Sequence, residues 1–450
     1  MNYKFFRFFL AATLLAVSTV TPAQNSSMEL SLEQAQELAL QNNQSVKNAL
    51  LDIEMANYKV DEIRAMGLPQ IEGSGVFSHT YEIATQLLPG DFVGQPGTMI
   101  ATKFGVPFNL SGTVQLNQLL FDGTFFLGLQ AASEFVNVNR LMASKSEIDV
   151  KEGVTKAYYM ALISDDNLRQ LQNSLSNLYK IKNETSKMYE AGMAERLDVD
   201  RLILSVSNLE ISINNLRSQA TLAKQILLNS MGIDVNQPIV LTSKLPEFNM
   251  DNFREGYGTN GEVSNRIEYK MLEQQQKLNE LDLKRWKVGY FPSLYGMVNY
   301  GGNSFGQEDA FNDLGKDWYP NGMWALSLKV PIFDGLKKQA KINQARVEIE
   351  KTKNSMTQLT NGIELEISQS RNEYSNAYKT LELQKQSMKL AENIYKTTSI
   401  KFKEGVGSSF EMITAEGDLT SAKSNYLNAL YNLSVAKINL DKALGNITNN

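Results

Sequence analysis

Apolar residues recur along this chain with two different periods, and the two alternate in a fixed order. Val206, Leu209, Ile213, Leu216, Ala220, Ala223 and Leu227 are spaced 3,4,3,4,3,4, and Leu419, Ala422, Tyr426, Ala429, Leu433, Ala436, Leu440 and Ala443 follow the same rule. Such a heptad seam predicts helices packed lengthwise as coiled coils, its alanines permitting close approach of the axes. Elsewhere the period drops to two. Trp324, Leu326, Leu328, Val330 and Ile332 alternate with Ala325, Ser327, Lys329 and Pro331. Three further stretches alternate likewise: Ile71, Gly73, Gly75, Phe77, His79, Tyr81; Leu110, Gly112, Val114, Leu116, Gln118; and Leu294, Gly296, Val298, Tyr300. They predict four strands, near 69–81, 109–121, 292–301 and 323–333, each long enough to cross a bilayer when tilted. One face is apolar or aromatic and the other small and polar, as a barrel wall between lipid and water requires.

Proline placement separates the two regimes. The ten prolines avoid 108–237 and 332–450, the stretches where long helices are permitted, because proline inside a helix costs about 3 kcal/mol. Helices are predicted over 124–189 and 336–403, each about 100 Å long at 1.5 Å per residue. Each turns at a glycine, Gly192 or Gly405, into a returning helix over 195–231 or 408–444. Shorter helices over 44–66 and 264–288 complete the side that the returning helices leave open. Gly153 and Gly362 are expected weak points, at about 1 kcal/mol each relative to alanine.

The order repeats. Phe121-Asp122-Gly123 returns 212 positions later as Phe333-Asp334-Gly335, and Tyr189-Glu190-Ala191-Gly192 returns 213 later as Phe402-Lys403-Glu404-Gly405. Met231-Gly232 returns as Leu444-Gly445, whereas Leu68-Pro69 matches Phe291-Pro292 at 223, so the first copy carries about 11 extra residues. The domain reading is therefore a first repeat over 24–232, a linker over 233–262, a second repeat over 263–445 and a tail over 446–450. The connections 82–108 and 302–322, with Pro89-Gly90, Pro96-Gly97 and Gly301-Gly302, read as surface loops.

Composition narrows the chemistry. The 450 residues are 42% hydrophobic and 21% charged, which does not fit a polytopic helical membrane protein. Acids exceed bases by 49 to 44, which argues against nucleic acid as a partner. There is no cysteine, and His79 is the only histidine, so disulfides, thiolate sites, an acylated N-terminal cysteine and a Ser/His/Asp triad are not expected. No catalytic residue, metal site or cofactor is assigned, and the chain reads as a non-enzyme. Residues 1–23 read as a signal peptide: Lys4 and Arg7, an apolar core over 8–20, then Thr21-Pro22-Ala23. Their removal takes the net charge from −5 to −7.

Four strands cannot close a barrel, and open edges are not tolerated in lipid, so copies must combine to 8, 12 or 16 strands. The order of elements then carries a resemblance. An opening helix (Leu32-Glu33-Gln34-Ala35 to Asn43) precedes Gly67-Leu68-Pro69; F-D-G follows the partner strand, and a Y-x-x-G tip follows that. The whole repeats from Asn265-Arg266-Ile267-Glu268 through Val330-Pro331-Ile332-Phe333-Asp334-Gly335. This resembles the TolC-type outer-membrane efflux family over 29–445.

The resemblance implies a mainly α fold with transmembrane β: a long coiled-coil α-barrel, plus four strands per chain in the shared twelve-stranded β-barrel of a homotrimer. It implies a passive duct in the outer membrane with a periplasmic helical extension; the lack of cysteine makes it one that is not lipidated. A periplasmic adaptor protein and an inner-membrane pump of RND or ABC type would open it. The adaptor-docking tips map to 189–201 and 402–414, with Tyr189, Gly192, Leu197, Phe402, Gly405 and Phe410. The periplasmic gate maps to Asp198, Arg201, Glu411 and Thr414; Thr414 departs from the acid expected there and weakens an acidic ring. A rival reading, a periplasmic adaptor-like coiled-coil protein, should lack both the lipid-facing strands and the duplication.

Overall fold

The computed structural model describes residues 27–94, 96–248, 262–307 and 314–447. The expected signal peptide, residues 249–261 of the linker and the end of the tail lie outside them. The described chain is mostly helical and forms two units. One comprises 27–43, 153–248 and 381–434; the other comprises 44–152, 262–380 and 435–447.

In the first unit, β1 (Met28–Leu30) pairs in parallel with β6 (Ile239–Leu241). Helix α1 (Leu32–Asn42) starts where a capping sequence directs it: Ser31 Oγ accepts from the Gln34 amide at 3.2 Å while Gln34 Oε1 accepts from the Ser31 amide at 2.9 Å. It packs on α4 (Arg196–Met231). Gly232 ends α4 at φ 71, and an added Cβ would sit 2.6 Å from the Asn42 carbonyl oxygen. Gly232→Ala is therefore expected to lower stability by at least about 1–3 kcal/mol, the left-handed strain alone, as read from thermal unfolding. An unchanged transition would exclude this packing.

The second unit carries the sheet. Its order is β2 (Gln70–His79), β5 (Phe108–Phe121), β7 (Ser293–Gly306), β8 (Tyr319–Lys329), antiparallel throughout. The register aligns the four alternating patterns. Gly73, Val114, Tyr300 and Gly322 stand opposite one another in turn, as do Ile71, Leu116, Val298 and Trp324. Directly opposed residues share a face, so all four apolar sets lie on one side. Glu72, Gln115, Asn299 and Met323, with Ser74, Thr113 and Asn303, lie on the other.

Two boundaries differ from the sequence reading. Strand β7 runs five residues beyond 301, and β8 spans 319–329 instead of 323–333. Pro331 lacks an amide hydrogen and cannot extend the ladder, and Gly335 and Leu336 then turn the chain, both at φ 66. The connection 82–108 is not wholly loop. Strands β3 (Thr85–Pro89) and β4 (Met99–Lys103) form a hairpin, each strand of five residues too short for its period to be read on either side of the Pro-Gly pairs.

The long helices are α3 (Gly123–Glu190, 68 residues) and α6 (Lys337–Lys403, 67 residues), unbroken at Gly153 and Gly362, where a Cβ would meet open space. With α2 (Gln44–Ala65), α5 (Ile267–Val288) and α7 (Ser409–Ala443) they complete the described helices longer than one turn. The seam residues of α4 and α7 are buried or half-buried. Among the described residues no helix is long and apolar enough to cross a membrane.

Candidate functional site: the helical tips

Both helical hairpins turn by the same chemistry. At the first tip the Gly192 amide bonds the Tyr189 carbonyl at 2.9 Å and the Met193 amide bonds the Met188 carbonyl at 2.8 Å; Gly405 to Phe402 and Val406 to Lys401 repeat the pattern at 3.1 and 3.0 Å. These are Schellman closures. They need a left-handed residue, which Gly192 (φ 76) and Gly405 (φ 74) supply without a Cβ penalty.

The two tips pack as one core. Leu178 and Ile181 of α3, Leu202 and Val206 of α4, Phe402 of α6 and Met412 of α7 form a buried cluster. Phe402 is only 6% exposed, so its ring supports the tips from within and is not offered to a partner. Tyr189, Leu197 and Phe410 are exposed.

Three of the four residues assigned to the gate sit where the hairpins meet. Asp198 Oδ2 accepts from the Glu195 amide at 3.3 Å, closing the start of α4, and its Oδ1 accepts from the hydroxyl of Ser409. Ser409 is buried, so this bond ties the first tip to the first residue of α7. Arg201 stacks its guanidinium over the Phe410 ring at 5.4 Å, beside Glu411. Glu411 is exposed, and its amide donates to Ser408 Oγ at 3.2 Å, an ordinary N-cap. Thr414 is not joined to them; its hydroxyl returns to the Phe410 carbonyl of its own helix at 2.9 Å.

Two residues here escaped the sequence reading. Ser409 carried no motif, being the repeat counterpart of Arg196. Glu416 carried none either: continuing the seam spacing back from Leu419 reaches Ala415 and then Met412, and Glu416 lies one residue beside it. Glu416 is 2% exposed, with no hydrogen-bond partner for either carboxyl oxygen. Burial pushes its carboxyl above the usual carboxylate range, opposed more weakly by Ser174, Lys423 and Tyr395. Tyr395 is pushed up to about 12, by burial first and then by the Glu416 and Glu184 charges.

The chain is similar to the outer membrane protein TolC of Vibrio cholerae, 22% identical over 352 residues that cover 75% of this chain and 77% of that one. To TolC of Escherichia coli it is 20% identical over 456 residues, covering 97% and 85%. Its fold resembles the Campylobacter jejuni CmeC outer membrane channel with a TM-score of 0.71 at 14% identity, over 93% of this chain and 86% of that one. The family model described as outer membrane efflux protein matches residues 35–233 and 269–446, so this chain belongs to the outer membrane efflux protein family.

Proposed function

We propose that the chain is the outer-membrane duct of a tripartite export system, working as a homotrimer. The observation that carries this reading is the sheet: its register places every apolar set on one face, and it ends in two unpaired edges, β2 and β8. In lipid, unpaired edge amides and carbonyls cost several kcal/mol each, so β8 of one copy pairs with β2 of the next. Three copies give twelve strands, with the polar face lining water.

The helices then extend into the periplasm, and the tips are the end that an adaptor meets. Exposed Tyr189, Leu197 and Phe410 with the two tip glycines form the docking surface, and Phe402 backs it. An inner-membrane pump, of RND or ABC type, supplies the energy, so the chain itself performs no catalysis and needs no cofactor. Glu411 of each copy faces the axis. Asp198–Ser409 and Arg201–Phe410 hold the tips inward, the first as a charge-assisted hydrogen bond and the second as a stacked cation.

Planar-bilayer recording tests this. Wild type is expected to conduct weakly; Ser409→Ala and Arg201→Ser are expected to raise single-channel conductance, and Glu411→Ala to lower cation preference. Unchanged conductance and ion preference in all three would refute the gate. No channel activity from the purified outer-membrane oligomer would refute the duct.

A further inference from the structure

The junction between α5, the sheet and α6 carries a charge that neither the duct nor the gate uses. Lys284, Arg285 and Lys287 close α5, and Lys337, Lys338 and Lys341 open α6. Aromatic side chains hold this group together across the two helices. Arg285 lies 5.3 Å and Lys341 5.8 Å from the Trp286 ring centroid, while Lys338 lies 5.2 Å from that of Tyr290. Two acids answer the six bases: Asp282, paired to Arg285 at 2.6 Å, and Asp334, 3.6 Å from Lys338. The surplus is positive in a chain whose net charge is negative.

Two features show that helix α6 does not need this charge. Cations in the first turns of a helix oppose its dipole, which favours anions there; the first turn of α6 has no acid. The duplication supplies the comparison. Where the second copy has Lys337, Lys338 and Lys341, the first has Phe125, Phe126 and Leu129; where it has Lys284 and Arg285, the first has Asp61 and Glu62, and only Lys287 is matched by a base, Arg64. The same fold position is thus built once without the lysines.

We propose that this junction binds the phosphate headgroups of anionic phospholipids in the periplasmic leaflet, one patch per protomer. The inference rests on the barrel reading, which sets the helix-side end of the sheet at that leaflet. Trp286 and Tyr290 seat at the interface as amphipathic rings do, and the ammonium groups of Lys341 and Lys338 lie over them at the level of the phosphates.

Tryptophan quenching in bilayers tests the proposal with the full chain. A Trp318→Phe, Trp324→Phe variant leaves Trp286 as reporter, and a Trp286→Phe, Trp318→Phe variant leaves Trp324, in the middle of β8 on the apolar face. Lipids with a nitroxide near the headgroup probe Trp286, as phosphatidylglycerol or as phosphatidylcholine; a nitroxide deep in the acyl chain probes Trp324. Trp286 is expected to show about fivefold stronger association with the anionic lipid, the effect of one net basic contact at a membrane surface. Adding Lys338→Gln and Lys341→Gln, or raising wild-type salt to a Debye length of about 3 Å, should bring the ratio near one. Equal quenching by both lipids, with Trp324 quenched normally, would overturn the proposal and leave the barrel intact. An unquenched Trp324 would overturn the barrel reading and this inference with it.

Discussion

Trp324→Arg is expected to abolish accumulation in the outer membrane, while Asn299→Arg, on the opposite face, is expected to leave it unchanged. Trp324 is 73% exposed on the apolar face at the centre of β8, across from Val298. Asn299 is one residue along β7 from Val298, opposite Gln115 and Met323 on the polar face. An arginine facing lipid at the midplane costs about 2–4 kcal/mol, and the proposed homotrimer would carry it three times. The same arginine in a wet lumen is hydrated and costs little. Membrane fractionation with heat-modifiable gel migration reads both variants. Equal loss in both, or equal tolerance, would mean that the sheet does not separate lipid from water.

The second large effect concerns the buried carboxyl of Glu416. Its protonated form is favoured in the folded tips, so the folded state binds this proton more tightly than the unfolded chain does. Below the ordinary carboxylate range the group is neutral in both states and costs nothing extra. As pH rises through that range toward the raised folded value, the burial penalty grows, and the tips loosen. The facing groups do not remove it: Tyr395 stays neutral, Glu184 is a like charge, and Lys423 is the one opposing charge acting on the carboxyl. Glu416→Gln keeps the shape and cannot ionise. Amide exchange at the tip residues, corrected for intrinsic rates, should be slower at pH 5 than at pH 8 in wild type. In Glu416→Gln it should be slow at both. A wild-type tip with no pH dependence would show that the carboxyl is solvated or paired.

Much of the fold was legible because periods and breakers are local. The 3,4 seam of α4 and α7, the glycine turns and the four alternating strands need only near neighbours and proline avoidance to be read. Strand register was not local. That Ile71, Leu116, Val298 and Trp324 share a face follows from pairing across as many as 182 residues, and the period only made it consistent. The ends of β7 and β8 shifted because alternation continues through Val330 and Ile332 while the ladder stops short of Pro331.

At the tips, sequence order located the turn, and Gly192 and Gly405 took the conformation their position demanded. It did not foresee that Asp198 reaches Ser409, a contact between residues 211 apart, or that Phe402 points inward. Those depend on how two hairpins meet. Glu416 was hidden for a different reason: it lies one residue beside the seam position Ala415, where a charged side chain reads as exposed.

The central claim is that one chain supplies a third of a closed wall. Native mass spectrometry of the detergent-extracted protein measures this directly. The expected species is three times the protomer mass, persisting in detergent until heat dissociates strands and subunits together. A stable monomer with its sheet intact would contradict the account, because β2 and β8 would then carry unpaired edges in lipid.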